Sequence, residues 1–407
     1  MQHYDQDGLV RWDTQAPEHY IPLHTTDLVE FLVQHPALDS EAVTKFRQVA
    51  MLLQAIEHHL YRQRHEQLLY SYAPLDPDLD RMLASVPTTD QRDQLIDECR
   101  QRTESVLLRA NYRKLSSEEL EQTLEVASQW GVRMRMNFEL QEWMDVYTRG
   151  LVIGTRRQRK WRKFYRFISY EVPLYQRLVI VFRARPDHPQ KFDNGRIYLR
   201  MFKNVPRQDI DMMLPGAGVH MTWVDHSKIV LPSLYAAGMT MWRVLKYFFM
   251  LALLGAFKTV GIILIAVVAV GYGIKSMFTF RLHTQRRYLL NMTQNLYYQS
   301  LGNNNGVLLR VLEEGEQQES CQAILIYFVA MINEFRPLTL EQLNEQSREL
   351  VQQASGVNSF FETEETIKNL VHLGILRFDR EGWVALTARQ AIEQLDRVWD
   401  GAVVGTP

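Results

Sequence analysis

The chain has little cysteine and no familiar catalytic motif. Only Cys99 and Cys321 occur among 407 residues, far apart and in no CxxC pair. This excludes a disulfide framework and a zinc–thiolate cage, and it indicates a reducing compartment. No GxSxG, HExxH or Walker sequence is present, so we predict no catalytic residue, no metal site and no cofactor, and we favour a non-enzymatic protein. The N-terminus also lacks the character of a signal or transit peptide.

The chain as a whole has no excess of positive or negative charge, but one segment is strongly basic. The formal net charge of −1 excludes a globally basic protein. Residues 156–167 nevertheless read RRQRKWRKFYRF, in which seven of twelve residues are Lys or Arg and most of the others are aromatic. We predict that this run binds anionic lipid or another polyanion through Arg156, Arg157, Arg159, Lys160, Trp161, Arg162, Lys163 and Arg166.

Three interpretations of the basic run stay open. The simplest is a solvated strand or loop face. The functional ones are attraction to an anionic lipid surface and binding of single-stranded nucleic acid, with aromatic rings stacking between the arginines. Nucleic acid is disfavoured because residues 338–400 hold six basic and eleven acidic residues, a net charge of −5, which opposes phosphate contacts.

One long hydrophobic run is present. Residues 247–274 are apolar except for Lys258, and such a run exceeds the ~20 residues needed to span the ~30 Å hydrocarbon core. Because a lysine at mid-span is costly, we favour a two-span helical hairpin at 234–278 with its turn at Gly255, Lys258 and Gly261 over one tilted span. Basic flanks predict an integral membrane protein with cytoplasmic soluble parts, in the inner membrane of a bacterium or an organellar membrane of a eukaryote.

Hydrophobic periodicity organises the remainder. Hydrophobic residues recur at helical spacing up to residue 131, and from Val132 they alternate with polar residues as in β-strands. We predict an α+β membrane protein with an N-terminal helical region, a basic antiparallel β module, the transmembrane helical hairpin, post-membrane helices and a winged-helix-like C-terminal module. The predicted boundaries are 1–131, 132–232, 234–278, 279–335 and 336–407.

One group of titratable residues lies inside the N-terminal helical pattern. His58 and His65 are seven residues apart, with Glu57 beside the first. Metal ligands on one helix are normally separated by three or four residues. We therefore predict a solvated or partly buried helix face here and no metal site.

Several segments together resemble one family. They include HYIPLHTTDLVEFL, VPLYQRLVIVFRAR, IYLRMFKNVPRQDIDMMLP and EQQESCQAILIYFVAM, and they cover about residues 18–335. In this order they resemble the transmembrane protein 143 family, grouped with bacterial and plastid relatives as domain of unknown function 3754 (DUF3754). The resemblance implies two membrane spans and no particular reaction. The chain departs from it at Arg243 and Lys246, where the first span is usually more apolar.

These patterns predict a membrane-anchored interaction or regulatory protein of unknown biochemical activity. Its basic surface would face lipid at the cytoplasmic side, and its C-terminal module would contact a protein partner. A first alternative is an oligomeric channel, transporter or membrane-perturbing effector with Lys258 lining a path. A second, less favoured alternative is a nucleic-acid-binding membrane protein.

Overall fold

The structure is a computed structural model, and the residues it describes are interrupted by several gaps. The described residues are 3–5, 8–12, 18–80, 88–126, 133–136, 140–159, 167–187, 192–193, 195–215, 217–220, 239, 242, 246, 271, 298–333, 336–361, 363–379 and 382–404.

The described chain is α+β. Its helices are α1 Thr25–Leu32, α2 Ser40–Tyr72, α3 Thr89–Arg109, α4 Ser117–Val126, α5 Ile210–Met213, α6 Asn305–Ile332, α7 Leu340–Ser355, α8 Glu364–His372 and α9 Ala388–Val404. Its strands are β1 His3–Asp5, β2 Gly8–Trp12, β3 Arg113–Lys114, β4 Arg133–Met136, β5 Gln141–Arg159, β6 Phe167–Ala184, β7 Tyr198–Pro206, β8 Ala217–His220, β9 Ser300–Asn303, β10 Leu376–Asp379 and β11 Gly382–Ala385.

Local sequence accounts for several helix ends. Part of the helical region predicted up to residue 131 is observed as α1 and α2, which are separated by a short turn around Pro36. Asp39 caps α2 by accepting a hydrogen bond from the Ala42 backbone N–H at 2.7 Å. Thr339 and Gln342 form a reciprocal capping box at the start of α7, and Gly356 ends that helix at φ +74°.

The predicted antiparallel sheet is confirmed. The main sheet has the order β1-β2-β5-β6-β7-β9, and β3 pairs with a second stretch of β5. Its centre is the β5–β6 pair, which runs from Gln141 opposite Ala184 to Arg159 opposite Phe167. Strands β10 and β11 form a separate antiparallel hairpin that follows α7 and α8 in the chain.

The chain divides into two compact units. The larger comprises residues 1–120, 139–207 and 300–407, and it contains the main sheet and the long helices. The smaller comprises residues 121–138 and 208–299. Within the smaller unit, the antiparallel pair of β4 and β8 is described together with α5. The domain boundaries expected from the sequence stay predictions.

Helix α6 passes through both hydrophobic cores of the larger unit. Its first turns, with Val307 and Val311, pack with α2, α3 and the sheet. Its last three turns, residues 321–330, pack with α1, the start of α2 and the C-terminal helices. The helix middle is different, because the buried residues between these two stretches are, apart from Gly315, polar or charged: Glu314, Gln318, Glu319 and Ser320.

The predicted transmembrane hairpin at 234–278 is not upheld. Over the described residues, no helix is both long enough and apolar enough to cross a membrane. The longest apolar stretch of α6, residues 323–332, would extend only about 15 Å at 1.5 Å per residue, well short of the ~30 Å that a span requires. Of the predicted hairpin itself only residues 239, 242, 246 and 271 are described, and the turn residues Gly255, Lys258 and Gly261 lie outside the described part.

The same finding corrects the statements that depended on the hairpin. The α+β class is observed, but the predicted class of membrane protein and the predicted location as an integral membrane protein with cytoplasmic soluble parts are wrong, because no described helix could span a membrane. A channel or transporter with Lys258 in its path loses the spans that it requires. An apolar run shows that a segment avoids water, and this property alone does not distinguish lipid from a protein interior.

Candidate functional site: a basic ribbon and a buried charge network

The β5–β6 hairpin extends beyond the rest of the sheet as a two-stranded ribbon. On one side the last neighbour is β2, which pairs with β5 at Ile153. On the other it is β7, which pairs with β6 at Leu174. Beyond these positions β5 and β6 pair only with each other among the described strands, as far as Arg159 opposite Phe167. Residues 154–159 alone extend about 20 Å at ~3.3 Å per residue.

The predicted polyanion-binding run falls at the end of this ribbon. Arg156 pairs with Tyr170, Arg157 with Ser169 and Arg159 with Phe167. The remaining predicted residues lie between the two ribbon strands and outside the described residues: Lys160, Trp161, Arg162, Lys163 and Arg166. In chain order the run therefore occupies the outer end of β5 and the connection to β6, where no third described strand pairs with it.

The base of the hairpin is joined to α6 through one buried carboxylate. Glu314 on α6 binds Arg149 of β5 at 2.8 Å and Arg177 of β6 at 3.2 Å. It also accepts a hydrogen bond from the Tyr112 hydroxyl and lies 3.5 Å from Arg310 one turn earlier on the same helix. Three cations thus surround one carboxylate, which leaves the cluster with a positive excess.

Arg149 is held firmly at the centre of this cluster. Its guanidinium lies between the rings of Tyr20 and Tyr112, at 4.9 and 4.7 Å from the ring centroids, and it donates to the Ala110 carbonyl. Burial lowers the pKa of Arg149, but Tyr112 and Glu314 act in the opposite direction and the net pKa is raised. The arginine therefore stays charged inside the protein.

A second cluster joins α6 to α2 and α3. Glu319 binds Arg64 of α2 at 3.1 Å and Arg109 of α3 at 2.8 Å. Nearby on α2, Glu57 is only 1% exposed, and its Oε2 atom has no hydrogen-bond partner among the described residues. Burial, followed by the charge of Glu319, raises the pKa of Glu57 to about 7. Glu57 is therefore a proton acceptor near neutral pH, but its burial keeps it from a substrate in solution.

Sequence reasoning did not identify these clusters. Arg149, Arg177 and Glu314 come from distant parts of the chain, so no local spacing relates them. The only local signal was the acidic and amide-rich stretch EEGEQQES, residues 313–320, which directly precedes the apolar half of α6. A helical stretch that is apolar all round is buried, so this pattern places only the apolar half of α6 in a core.

The described residues contain no group of three or more His, Cys, Asp or Glu side chains that could hold a metal ion. His58 is exposed, and its Nδ1 atom lies 3.0 Å from Glu316 Oε1. His65 is separate from this pair, and its pKa is lowered, chiefly by burial. The two histidines thus take part in different local contacts.

Comparison with known proteins identifies a domain and no activity. Residues 175–306 match a family model described as "Protein of unknown function (DUF3754)". The match begins in β6, includes β7 and ends in the first turn of α6. The search of solved structures returns no match. The predicted resemblance is thus confirmed for this domain of unknown function, whereas the assignment to the transmembrane protein 143 family is not confirmed.

Proposed function

We propose that this chain is an interaction protein whose basic β-ribbon binds an anionic lipid surface from outside the bilayer. The observation that carries the proposal is the β5–β6 register, which continues past the last neighbouring strands and leads into the run RRQRKWRKFYRF. This binding needs no membrane span.

The charge of the run supports an anionic partner. Seven Lys and Arg residues occur within twelve positions, and each basic side chain near an acidic leaflet contributes ~1 kcal/mol of attraction. A two-stranded ribbon concentrates these charges over a short length. Held near one surface, they would act together although the whole chain is almost neutral.

The aromatic residues favour lipid over nucleic acid. Trp161 and Tyr165 are residue types that concentrate at the membrane–water interface, where an apolar ring and a polar group are both accommodated. Two-stranded ribbons also enter DNA grooves in some proteins, so nucleic acid is the competing outcome. The acidic C-terminal segment opposes binding along an extended polyanion.

Vesicle binding tests the proposal with the full chain. We expect vesicles of phosphatidylcholine with phosphatidylserine to bind it and vesicles of phosphatidylcholine alone to leave it free. Replacing Arg156, Arg157 and Arg159 with Gln removes about 3 kcal/mol of attraction, so the affinity for anionic vesicles should fall roughly a hundredfold. Co-sedimentation at several lipid concentrations measures the change.

A charge-matched variant provides the control. Arg62→Gln, Arg377→Gln and Arg389→Gln together remove three exposed arginines from other elements and should leave vesicle binding unchanged. Equal binding to neutral and anionic vesicles would contradict the proposal. So would tighter binding to single-stranded DNA than to anionic vesicles, with a salt dependence that the ribbon variant abolishes.

The resemblance to the transmembrane protein 143 family stays a prediction about ancestry, and the ribbon proposal does not depend on it. The predicted homo-oligomer and the predicted protein partner of the C-terminal module also stay predictions.

A further inference from the structure

A small cleft lies at the edge of β5, where that strand lacks a continuous neighbour. Strand β3 pairs with Tyr147 and Thr148, and β2 pairs with Val152 and Ile153. Neither of them pairs with residues 149–151. The cleft at this interruption has a volume of ≈240 Å³, which suits a small molecule or a single charged group better than a drug-sized ligand.

The cleft is electropositive. Its lining includes Arg113, Arg149 and Arg207 but a single acidic side chain, Glu18. The Glu18 carboxylate already accepts a hydrogen bond from the Leu151 backbone N–H. That hydrogen bond does not neutralise the carboxylate, but three arginines against one carboxylate leave the lining with a positive excess.

Two hydrogen-bond donors in the cleft are available. Arg207 directly follows β7, its side chain is exposed, and within the described part of the chain it has no carboxylate at ion-pair distance. The hydroxyl of Tyr175 on β6 also has no hydrogen-bond partner among the described residues. Burial raises the pKa of Tyr175, while Arg207 and Arg113 act to lower it. The hydroxyl therefore stays protonated as a donor, with both guanidinium groups close enough to influence it.

The remaining arginines are pre-positioned. Arg113 donates to Glu119 through one terminal nitrogen at 2.7 Å, and no other partner for it is found among the described residues. Arg149 is fixed between two tyrosine rings at the back of the cleft. Fixed guanidinium groups bind phosphate well, because their planar donors match its oxygens and little side-chain freedom is lost.

We propose that this cleft binds a phosphate monoester group through Arg207, Arg113 and the Tyr175 hydroxyl. The group is carried either by a soluble small molecule or by a lipid headgroup, since both present the same oxyanion. The site shares no residue with the basic ribbon, so it does not rest on the proposed function.

Isothermal titration of the full chain with glycerol phosphate, at constant ionic strength, tests the soluble source. Vesicles test the headgroup source: phosphatidic acid carries a phosphate monoester and phosphatidylserine does not, so the two affinities are compared. Loss of one charged hydrogen bond weakens binding about tenfold. We therefore expect Arg207→Gln to bind the phosphate probe about tenfold more weakly than the wild type, and Tyr175→Phe to bind it several-fold more weakly.

Arg377→Gln is the matched control, because it removes an exposed arginine that has no ion-pair partner among the described residues and is not part of the cleft lining. It should bind both probes as the wild type does. A loss confined to glycerol phosphate identifies a soluble ligand, and a loss confined to phosphatidic acid identifies a headgroup. The proposal is overturned if neither probe binds, or if Arg207→Gln and Arg377→Gln bind equally well. Because Arg207 is exposed, we expect its replacement to leave the fold intact. Binding to vesicles with phosphatidylserine tests the ribbon, so a failure there contradicts the ribbon proposal and not the cleft proposal.

Discussion

At the scale of the residue, Glu57 shows how burial changes the chemistry of one side chain. It occurs in a helix rich in polar residues, and by sequence it resembles its exposed neighbours. In the folded chain it is 1% exposed. Burial raises its pKa most, Glu319 and Glu316 of α6 raise it further, and Arg64 and Arg109 oppose them. Its Oε2 atom has no hydrogen-bond partner in the described part of the chain, so the charged form is destabilised.

We predict that Glu57→Gln stabilises the protein in mildly alkaline solution. The pKa of Glu57 rises from 4.5 to about 7 on folding, so the folded chain holds a proton that the unfolded chain releases. The stability due to that proton is complete below pH 4.5 and is lost as the pH rises through about 7. The neutral amide avoids this loss, which amounts to roughly 3 kcal/mol.

Urea denaturation at about pH 4 and about pH 8 measures the effect. The wild type and Glu57→Gln should have nearly equal free energies of unfolding at the lower pH and differ at the higher one. Glu66→Gln, which changes an exposed carboxylate on the same helix, is the control and should leave the pH dependence in place. If the difference in the free energy of unfolding between Glu57→Gln and the wild type is the same at both pH values, Glu57 ionises normally and the prediction is wrong.

At the scale of the element, α6 connects the sheet with the helical core through buried charge. Glu314 is 11% exposed and Arg149 is 10% exposed, so both ions have lost most of their hydration. Their pairing offsets that loss only while both are present. An exposed pair such as Arg389 and Glu393 contributes far less, because water already solvates both groups.

We predict that Glu314→Gln lowers the free energy of unfolding by about 3 to 5 kcal/mol, because it leaves Arg149 and Arg177 without their shared carboxylate. Thermal and urea unfolding measure the loss. Glu393→Gln removes the same charge from an exposed pair and should change stability by less than about 1 kcal/mol.

A double-mutant cycle measures how strongly Arg149 and Glu314 interact. Arg149→Met combined with Glu314→Gln should lose less than the sum of the two single variants, because the second change removes the unpaired ion that the first creates. Additive losses would indicate that the two side chains do not interact energetically.

At the scale of the whole molecule, the ribbon proposed to bind lipid and the two hydrophobic cores lie in different parts of the larger unit. The described core residues of the two apolar clusters include none of residues 154–172. We therefore predict that replacing residues 156–170 by an Asn-Gly turn leaves the melting temperature within about 3 °C of the wild type. The pair Thr155 and Glu171 would close the shortened hairpin with a two-residue turn.

The shortened chain should lose its affinity for anionic vesicles while its circular dichroism and urea midpoint stay close to those of the wild type. Retained vesicle binding would place the anionic-lipid site elsewhere. A large fall in the urea midpoint would instead mean that the ribbon supports the fold.

Part of this architecture follows from local patterns. The change from helical spacing to a period of two near Val132 predicts the antiparallel sheet, and Asp39 and Gly356 cap helices as their residue types suggest. The basic run is visible in the sequence, although its position at the end of a ribbon requires the strand register. The hydrophobic run at 247–274 led to a membrane prediction that the structure does not uphold.

Local sequence was enough for helix spacing, strand alternation and the concentration of charge near residue 160, since each depends on neighbours within a few positions. Only the tertiary structure brings Glu314 to Arg149 and Arg177, and Glu319 to Arg64 and Arg109. Those contacts join residues far apart in the chain, and the electrostatic energy depends on distance and burial in the folded state. For the same reason the cleft beside Tyr175 becomes visible only once β2, β3 and β5 are placed together.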